Sequence, residues 1–222
     1  MRVFSNTAVS ADGRIATVKF DHVPLGDEAD LATMSELRSQ ADAVFVGGRS
    51  FRNYARPLVE RTADRRARHR PMVNAVLTRR GILDAGVDRR RWDSAGAELW
   101  VFAADGIDVA AHEAIAAQVF TTAEPTATWV LDTLASRGHS NILVEGGGDV
   151  LYQLLAAERL DEMYVTHCPW IIGGVGAPSL CDGAGFDAGA MRRLELLDMH
   201  ASGSELFLHY RVLHTETPHG AR

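Results

Sequence analysis

Glu145 is followed directly by Gly146, Gly147 and Gly148, and preceded by the apolar run Ile142, Leu143, Val144. A run of that kind reads as a central parallel strand, buried on both faces. Glu145 then stands at the strand's carboxyl end, where open α/β sheets bind their ligands. The three glycines carry no side chains, so backbone amides can approach a ligand closely. A helix beginning there would attract phosphate or carboxylate. The competing reading is that the glycines only allow a helix to pack tightly on its strand, and a triplet this short does not separate the two.

Two further polar features invite the same question. Arg38 lies on a predicted helix, where it is either a ligand for an anion or a surface arginine. The stretch RTADRRARHR, residues 61 to 70, holds five arginines. Such a run is either a solvated face or a recognition surface for phosphate through bidentate guanidinium contacts. Cys168 and Cys181 sit thirteen positions apart with no CxxC and no histidine spacing. That pattern predicts neither a disulfide framework nor a metal site, and fits inert thiols in a reducing cytoplasm.

The elements that must position these groups alternate along the chain. Val3 to Val9 predicts a strand, closed by a turn at Asp12-Gly13. Leu31 to Gln40 carries Leu31, Met34 and Leu37 at helical spacing. Ala43 to Val46 predicts a short buried strand ending in Gly47-Gly48. Met72 to Leu77 and Leu99 to Ala103 predict two more. Asp108 to Gln118 and Thr126 to Arg137 read as helices, the second stopped by Gly138. Asp161 to His167 is a strand, and Leu194 to Met199 with Leu206 to Val212 form a predicted antiparallel hairpin. The expected fold class is α/β, a mixed and mostly parallel sheet with helices on both faces and a C-terminal antiparallel hairpin. Residues 1–213 are expected to form one domain and 214–222 a disordered tail.

Composition narrows the function classes. Hydrophobic residues make up 46% and charged residues 23%, as in globular enzymes. A net charge of −6 argues against a nucleic-acid partner. The N-terminus lacks the apolar core of a signal peptide, and no run is long enough to span a membrane.

Three separated blocks carry a family resemblance. NTAVSADGRIA (6–16), LRSQADAVFVGGRS (37–50) and VEGGGDVLYQLLAAERLDEMYV followed by PWIIGG (144–174) together resemble the pyrimidine reductase domain of riboflavin biosynthesis. That family has a dihydrofolate reductase-like fold, uses NADPH, and reduces the ribosyl group of a phosphoribosylamino-pyrimidine to ribityl. The resemblance therefore implies hydride transfer without nucleophile or metal. The nicotinamide would be held ~3–3.5 Å from the acceptor carbon in a dry pocket.

The resemblance also implies site residues. Asn6, Ser10, Arg38, Leu58, Arg61 and Glu145 would meet substrate. Ala8, Ser50, Tyr54, Thr78 and the turn Gly146, Gly147, Gly148, Asp149, Val150, Leu151 would meet NADPH. Asp12, in an S-x-D-G turn with Ser10 and Gly13, and Glu145 would be the catalytic acids, although Asp12 could equally cap its own turn. Twofold dimers are the commonest oligomers, and the family implies a homodimer. The chain departs from the pattern at Tyr54, where the family commonly has Asp. It also departs at FDHVPLGDEADL, which replaces a segment containing Trp-Ile. No H-x-E followed by P-C-x-x-C occurs, so the sequence reads as a reductase domain without a zinc deaminase. A reductase of a dihydropterin or other imine on the same scaffold, and a non-catalytic dinucleotide-binding protein, remain alternatives.

Overall fold

The apolar runs of the sequence assemble, in the computed structural model, into one nine-stranded sheet with helices against both of its faces. The description covers residues 1–21, 23–61 and 70–214. The arginine-rich run between 61 and 70, and the expected tail beyond 214, therefore lie largely outside the described residues.

The strands are β1 (Arg2–Ser10), β2 (Ala43–Gly47), β3 (Met72–Thr78), β4 (Ala97–Ala104), β5 (Gln118–Thr122), β6 (Asn141–Val144), β7 (Glu162–Cys168), β8 (Arg193–Ser202) and β9 (Glu205–Leu213). Their order in the sheet is β5-β4-β3-β2-β6-β1-β7-β9-β8. Neighbours from β5 through β7 are parallel, while β9 runs antiparallel to both β7 and β8. The mostly parallel sheet and the terminal hairpin are as the sequence predicts.

Among the described residues six α-helices connect the strands: α1 (Glu28–Gln40), α2 (Gly48–Tyr54), α3 (Arg89–Ala95), α4 (Val109–Glu113), α5 (Ala127–Ser136) and α6 (Gly148–Ala156). One face of the sheet packs on α5 and α6. Val130, Leu131 and Leu134 of α5 meet Val150, Leu151, Leu154 and Leu155 of α6 over Phe45, Ile142 and Val144. The spacing of these leucines, one helical turn apart, puts them on one stripe. Full burial of each contributes about 1.5–3 kcal/mol. The other face packs Leu37 of α1, its C-cap Ala41, Phe51 of α2 and Trp92 of α3 against Phe4, Val44, Val46 and Leu143. Alternation along β1 and β6 thus assigns Phe4 and Leu143 to the α1 face and Val3 and Val144 to the other.

Three local expectations are corrected. The helix expected over Asp108 to Gln118 ends at Glu113, and Gln118 opens the edge strand β5. The amide of Ala117 is bonded to the Leu99 carbonyl, so the chain has already turned toward the sheet. Residues 89–95 form a helix that the sequence reading missed, because Trp92 is its one buried residue and no apolar stripe marks it. Helix α1 starts three residues earlier than expected, at Glu28, because the Asp27 side chain caps the amide of Ala29.

The outer strands are tied to the body by charge. Glu162 of β7 takes both Arg2 Nε (3.0 Å) and Arg2 Nη2 (2.8 Å), and lies 2.8 Å from His209 Nε2 on β9. The Arg2 hydrogen bonds, reinforced by His209 and opposed by burial, hold the Glu162 carboxyl at about 2, down from 4.5. A depressed carboxylate pKa adds stability above the unfolded value, and that stability is lost as pH falls from about 4.5 toward about 2. Partial exposure limits the effect to roughly 1–2 kcal/mol. Glu162→Gln is expected to flatten the loss of thermal stability between pH 5 and pH 3. Parallel melting curves for the variant and the parent over that range would refute the assignment.

Candidate active site

At the carboxyl end of the sheet, β2 and β6 lie side by side, and each runs into a glycine corner. The Gly47 amide donates to the Gly146 carbonyl at 2.7 Å, and the Glu145 amide to the Phe45 carbonyl at 2.9 Å, so the two corners are joined. Gly146 has φ +79°, which disfavours any residue with a Cβ, and the Gly146–Gly147 peptide is cis. Helix α6 begins at Gly148 with Gly147 as its N-cap and no side-chain cap. The amides of Gly148 and Asp149 therefore open the helix with no carbonyl of its own to bond, a natural cradle for an anion.

The contacts of this corner decide which neighbours can serve a ligand. A Cβ on Gly147 would come 3.1 Å from Ser50 Oγ, so the Ser50 hydroxyl faces the corner. Gly48 has no room for a side chain, since a Cβ there would lie 2.8 Å from Thr78 Cβ. Thr78 lies just beneath, and its hydroxyl donates to the Gly81 carbonyl at 3.0 Å. Asp149 is exposed and accepts from Gln153 at 2.9 Å. Val150 and Leu151, also expected to meet the cofactor, follow in the first turn of α6. Their side chains are in the core, and their amides already donate to the Gly147 carbonyl at 3.0 and 3.2 Å.

Glu145 and Arg38 meet on the α1 face. Arg38 Nε donates to Glu145 Oε1 at 2.6 Å and Nη2 to Oε2 at 2.7 Å, while Nη1 donates to the Val59 carbonyl at 3.1 Å. The pair is nearly closed to solvent, with 9% of the Arg38 side chain and 12% of the Glu145 side chain exposed. Glu60, buried nearby, adds a second negative charge that favours the guanidinium. Tyr54, at the end of α2, borders the pair. Burial first, and then the Glu145 charge, push its phenol above the usual range.

β1 crosses the middle of this floor. Asn6 is buried and Ala8 half-buried, and both share the α1 face with Phe4. The register continues from Ser5↔Val144, so Asn6 stands beside Glu145. Ala8 presents a single methyl on that face.

The end of β1 is a fastening rather than a catalytic group. Ser10 Oγ donates to Asp12 Oδ1 at 2.6 Å, and the amides of Ile172 and Gly173 donate to the same carboxylate at 3.1 and 2.7 Å. The Ser10 hydroxyl, then these two amides, hold Asp12 at about 2. Its lone pairs are engaged and it is no proton donor near neutrality. Asp12 and Ser10, expected at the catalytic and substrate sites, pin the loop carrying Trp170 and Gly173 to the sheet. Leu58 and Arg61, expected to meet substrate, are engaged within the protein. Leu58 is a core residue whose backbone is clamped by the buried Asn74 side chain, at 2.6 and 3.2 Å. Arg61 reaches back to Glu28 at 2.5 Å in an exposed ion pair.

Sequence reasoning missed one acid on this face. Asp30, in the first turn of α1, is buried, and that burial raises its carboxyl above the ordinary aspartate range. An acid there reads as an ordinary complement to the helix dipole, which Glu28 also supplies, so nothing in the sequence sets it apart.

A mostly parallel sheet, two linked glycine corners and an adjoining buried acid–arginine pair define an α/β domain with a candidate ligand site at the strand ends. The family model for the RibD C-terminal domain matches residues 1–208, and the chain belongs to that family. A reductase of Methanothermobacter thermautotrophicus, named for 2,5-diamino-6-ribosylamino-4(3H)-pyrimidinone 5′-phosphate, is 28% identical over 95% of this chain and 97% of its own length. The riboflavin biosynthesis protein RibD of Bacillus amyloliquefaciens is 30% identical over 82% of this chain, which spans 49% of that longer protein. The crystal structure of a pyrimidine reductase-like protein from Corynebacterium diphtheriae superposes with a TM-score of 0.77 at 21% identity, covering 96% of this chain and 92% of that one.

Proposed function

We propose that the chain is an NADPH-dependent reductase that converts the ribosyl group of a 5-amino-6-(5-phosphoribosylamino)pyrimidine to ribityl, with residues 1–213 as its reductase unit. The observation that carries this reading is the Glu145–Arg38 pair set against the Gly146–Gly148 corner. One side of the corner offers amides to an anion and the other offers charge to a polar heterocycle. The residues fit a dinucleotide: Gly48 and Gly148 admit no Cβ, α6 starts without a side-chain cap, and Ser50 Oγ faces the same corner.

In this reading the Gly148 and Asp149 amides and Ser50 hold the cofactor's phosphates. Bound NADPH supplies the hydride that reduces the sugar C1′. Ala8 and Asn6 form the floor on which the reacting rings lie. Glu145 accepts hydrogen bonds from amino groups of the heterocycle, while Arg38 fixes the carboxylate's orientation. A proton must reach nitrogen as hydride reaches carbon, and Glu145 or a water ordered by it is placed to relay it. Orientation and exclusion of water are the protein's main contributions. The two thiols are free, and burial pushes Cys168 up to about 12 and Cys181 up to about 11, which fits inert groups in a reducing cytoplasm.

Loss of NADPH absorbance with the phosphoribosylamino-pyrimidine, and none with dihydrofolate, is the expected result. Turnover of dihydrofolate alone would replace this reading by pterin reduction. NADPH binding without turnover of either would leave a dinucleotide-binding protein.

We further propose a homodimer built on the hairpin. β8 is an edge strand exposed along its length, and Leu194, Leu196, Leu197 and Met199 project from it. A long apolar edge of this kind calls for a partner. Light scattering should return twice the 24.2 kDa of one chain, and Leu196→Arg should reduce it to one. A single-chain mass for the parent at micromolar concentration would overturn the proposal.

A further inference from the structure

The loop that follows β3 closes against the glycine corners and is held from two sides. Thr78, at the end of β3, sits against Gly48 at the start of α2. A Cβ on Gly48 would lie 2.9 Å from the Thr78 hydroxyl. From that side α2 also sends Arg52, whose Nε donates to both carboxylate oxygens of Asp84 at 2.9 and 3.1 Å. Arg52 Nη2 donates to the Gly81 carbonyl, the same oxygen that takes the Thr78 hydroxyl at 3.0 Å. From the other side α4 sends His112, which is buried, and whose Nε2 accepts from the Ile82 amide at 3.0 Å. Its Nδ1 lies 2.6 Å from the Asp108 carbonyl oxygen.

These partners leave the imidazole one arrangement. A backbone amide only donates and a carbonyl only accepts, so Nε2 offers its lone pair and Nδ1 carries the proton. A ring with its proton on Nε2 would set one N–H against another. At Ile82 the chain has left β3, and the histidine supplies the acceptor that a buried N–H requires. The loop is shaped to the ring in turn. Gly81 has φ +76°, and a Cβ there would fall 2.3 Å from His112 Nε2, so the loop takes glycine at that position. Ile82 anchors the loop in the core that also holds Phe51 of α2 and Trp92 of α3. Between the two clamps the apex is Arg79 and Arg80, both exposed, which adds positive charge to the rim beside the corner.

We propose that His112 is a positioning residue for the cofactor: with Arg52 it fixes the loop from Thr78 to Ile82 beside the glycine corner before a dinucleotide arrives. The proposal rests on the dinucleotide reading of the corner and extends it to a residue that acts through the loop. Gly48 and Ser50 belong to the same short helix as Arg52, so the loop and the corner are braced as one unit. A loop already ordered loses little conformational freedom when the ligand binds, and releasing it lowers cofactor affinity. The hydride step responds less. It is governed by Glu145, at the end of β6 and two strands over from β3, and by the floor on β1 beyond it.

Two substitutions of like polarity separate the clamp from packing. In His112→Gln the side-chain amide oxygen reaches the place of Nε2 and accepts from Ile82. In His112→Asn, one carbon shorter, the side chain keeps a donor for the Asp108 carbonyl and leaves the Ile82 amide bare. Calorimetric titration with NADPH is expected to show His112→Asn weakened at least about tenfold and His112→Gln within about threefold of the parent. In turnover His112→Asn should raise KM for NADPH, while kcat and KM for the second substrate move by less than about threefold. Arg52→Met releases the loop from the α2 side and should show the same split; if His112→Asn does not fold, Arg52→Met decides. Equal losses in His112→Asn and His112→Gln, or unchanged NADPH affinity in the deciding variant, would overturn the proposal. The outcomes also separate it from the function it rests on. Turnover of dihydrofolate alone, with NADPH affinities ordered as above, would sink the pyrimidine reading and leave His112 in its role. Turnover of the pyrimidine, with a folded His112→Asn protein that binds NADPH like the parent, would do the reverse. A parent that binds no NADPH would sink both.

Discussion

Arg38→Ala is expected to destabilise the protein by about 3–5 kcal/mol, because it leaves Glu145 as a buried carboxylate without its guanidinium. For a chain of this size that is a fall of roughly 10 °C in melting temperature. The same loss would follow whether the pair is catalytic or only structural, so a single substitution does not decide its role. The informative variant is Arg38→Met with Glu145→Gln. It removes both charges while keeping volume and should recover most of the stability, since uncharged replacements of a buried pair are often neutral or better. Activity should not recover with it. The double variant is expected to bind NADPH as the parent does and to lose at least about tenfold in kcat/KM, since the Glu145 charge and its orientation act on the substrate. A stable double variant with full activity would reduce the pair to a structural clamp.

The sheet and the glycine corner were legible because both obey short-range rules. Ile142 to Val144 reads as a buried strand, and the glycine triplet after it marks a corner without saying whether that corner serves a ligand or packing. Helix α3 was not legible, because Arg89 to Ala95 has charge and a single tryptophan where a periodic stripe would be needed. The site was read in part for a related reason. A matched motif transfers positions without their contacts. The resemblance implied substrate contacts at Leu58 and Arg61, yet Asn74 holds the first in the core and Glu28 pairs with the second. Asp12 could be read two ways until the amides of Ile172 and Gly173, 160 and 161 positions away in sequence, were seen to bond it. Asp30 is set apart by its burial under the sheet, which no local pattern announces.

Adjacent glycines of the corner should respond in opposite ways to substitution, and this separates ligand binding from packing. A Cβ on Gly148 would lie 2.5 Å from the Ser179 carbonyl oxygen and 2.8 Å from the Asp182 amide. Both are backbone atoms of the loop over α6, and neither can swing aside. Gly148→Ala should therefore cost about 1–3 kcal/mol of stability as an overpacked contact. A Cβ on Gly147 would meet only Ser50 Oγ at 3.1 Å, the end of a side chain that can rotate, and Ile15 Cδ1 at 3.9 Å. Gly147 also has φ −74°, which a substituted residue can adopt. Gly147→Val should then melt close to the parent while its branched side chain fills the approach to the α6 amides. Calorimetric titration is expected to show NADPH affinity weakened at least about tenfold, the equivalent of 1.4 kcal/mol. If the glycines served packing alone, Gly147→Val would bind NADPH as tightly as the parent. A folded Gly147→Val protein with unchanged affinity would thus remove the cofactor from this corner, and the case for a dinucleotide site would pass to the ends of β3 and β4.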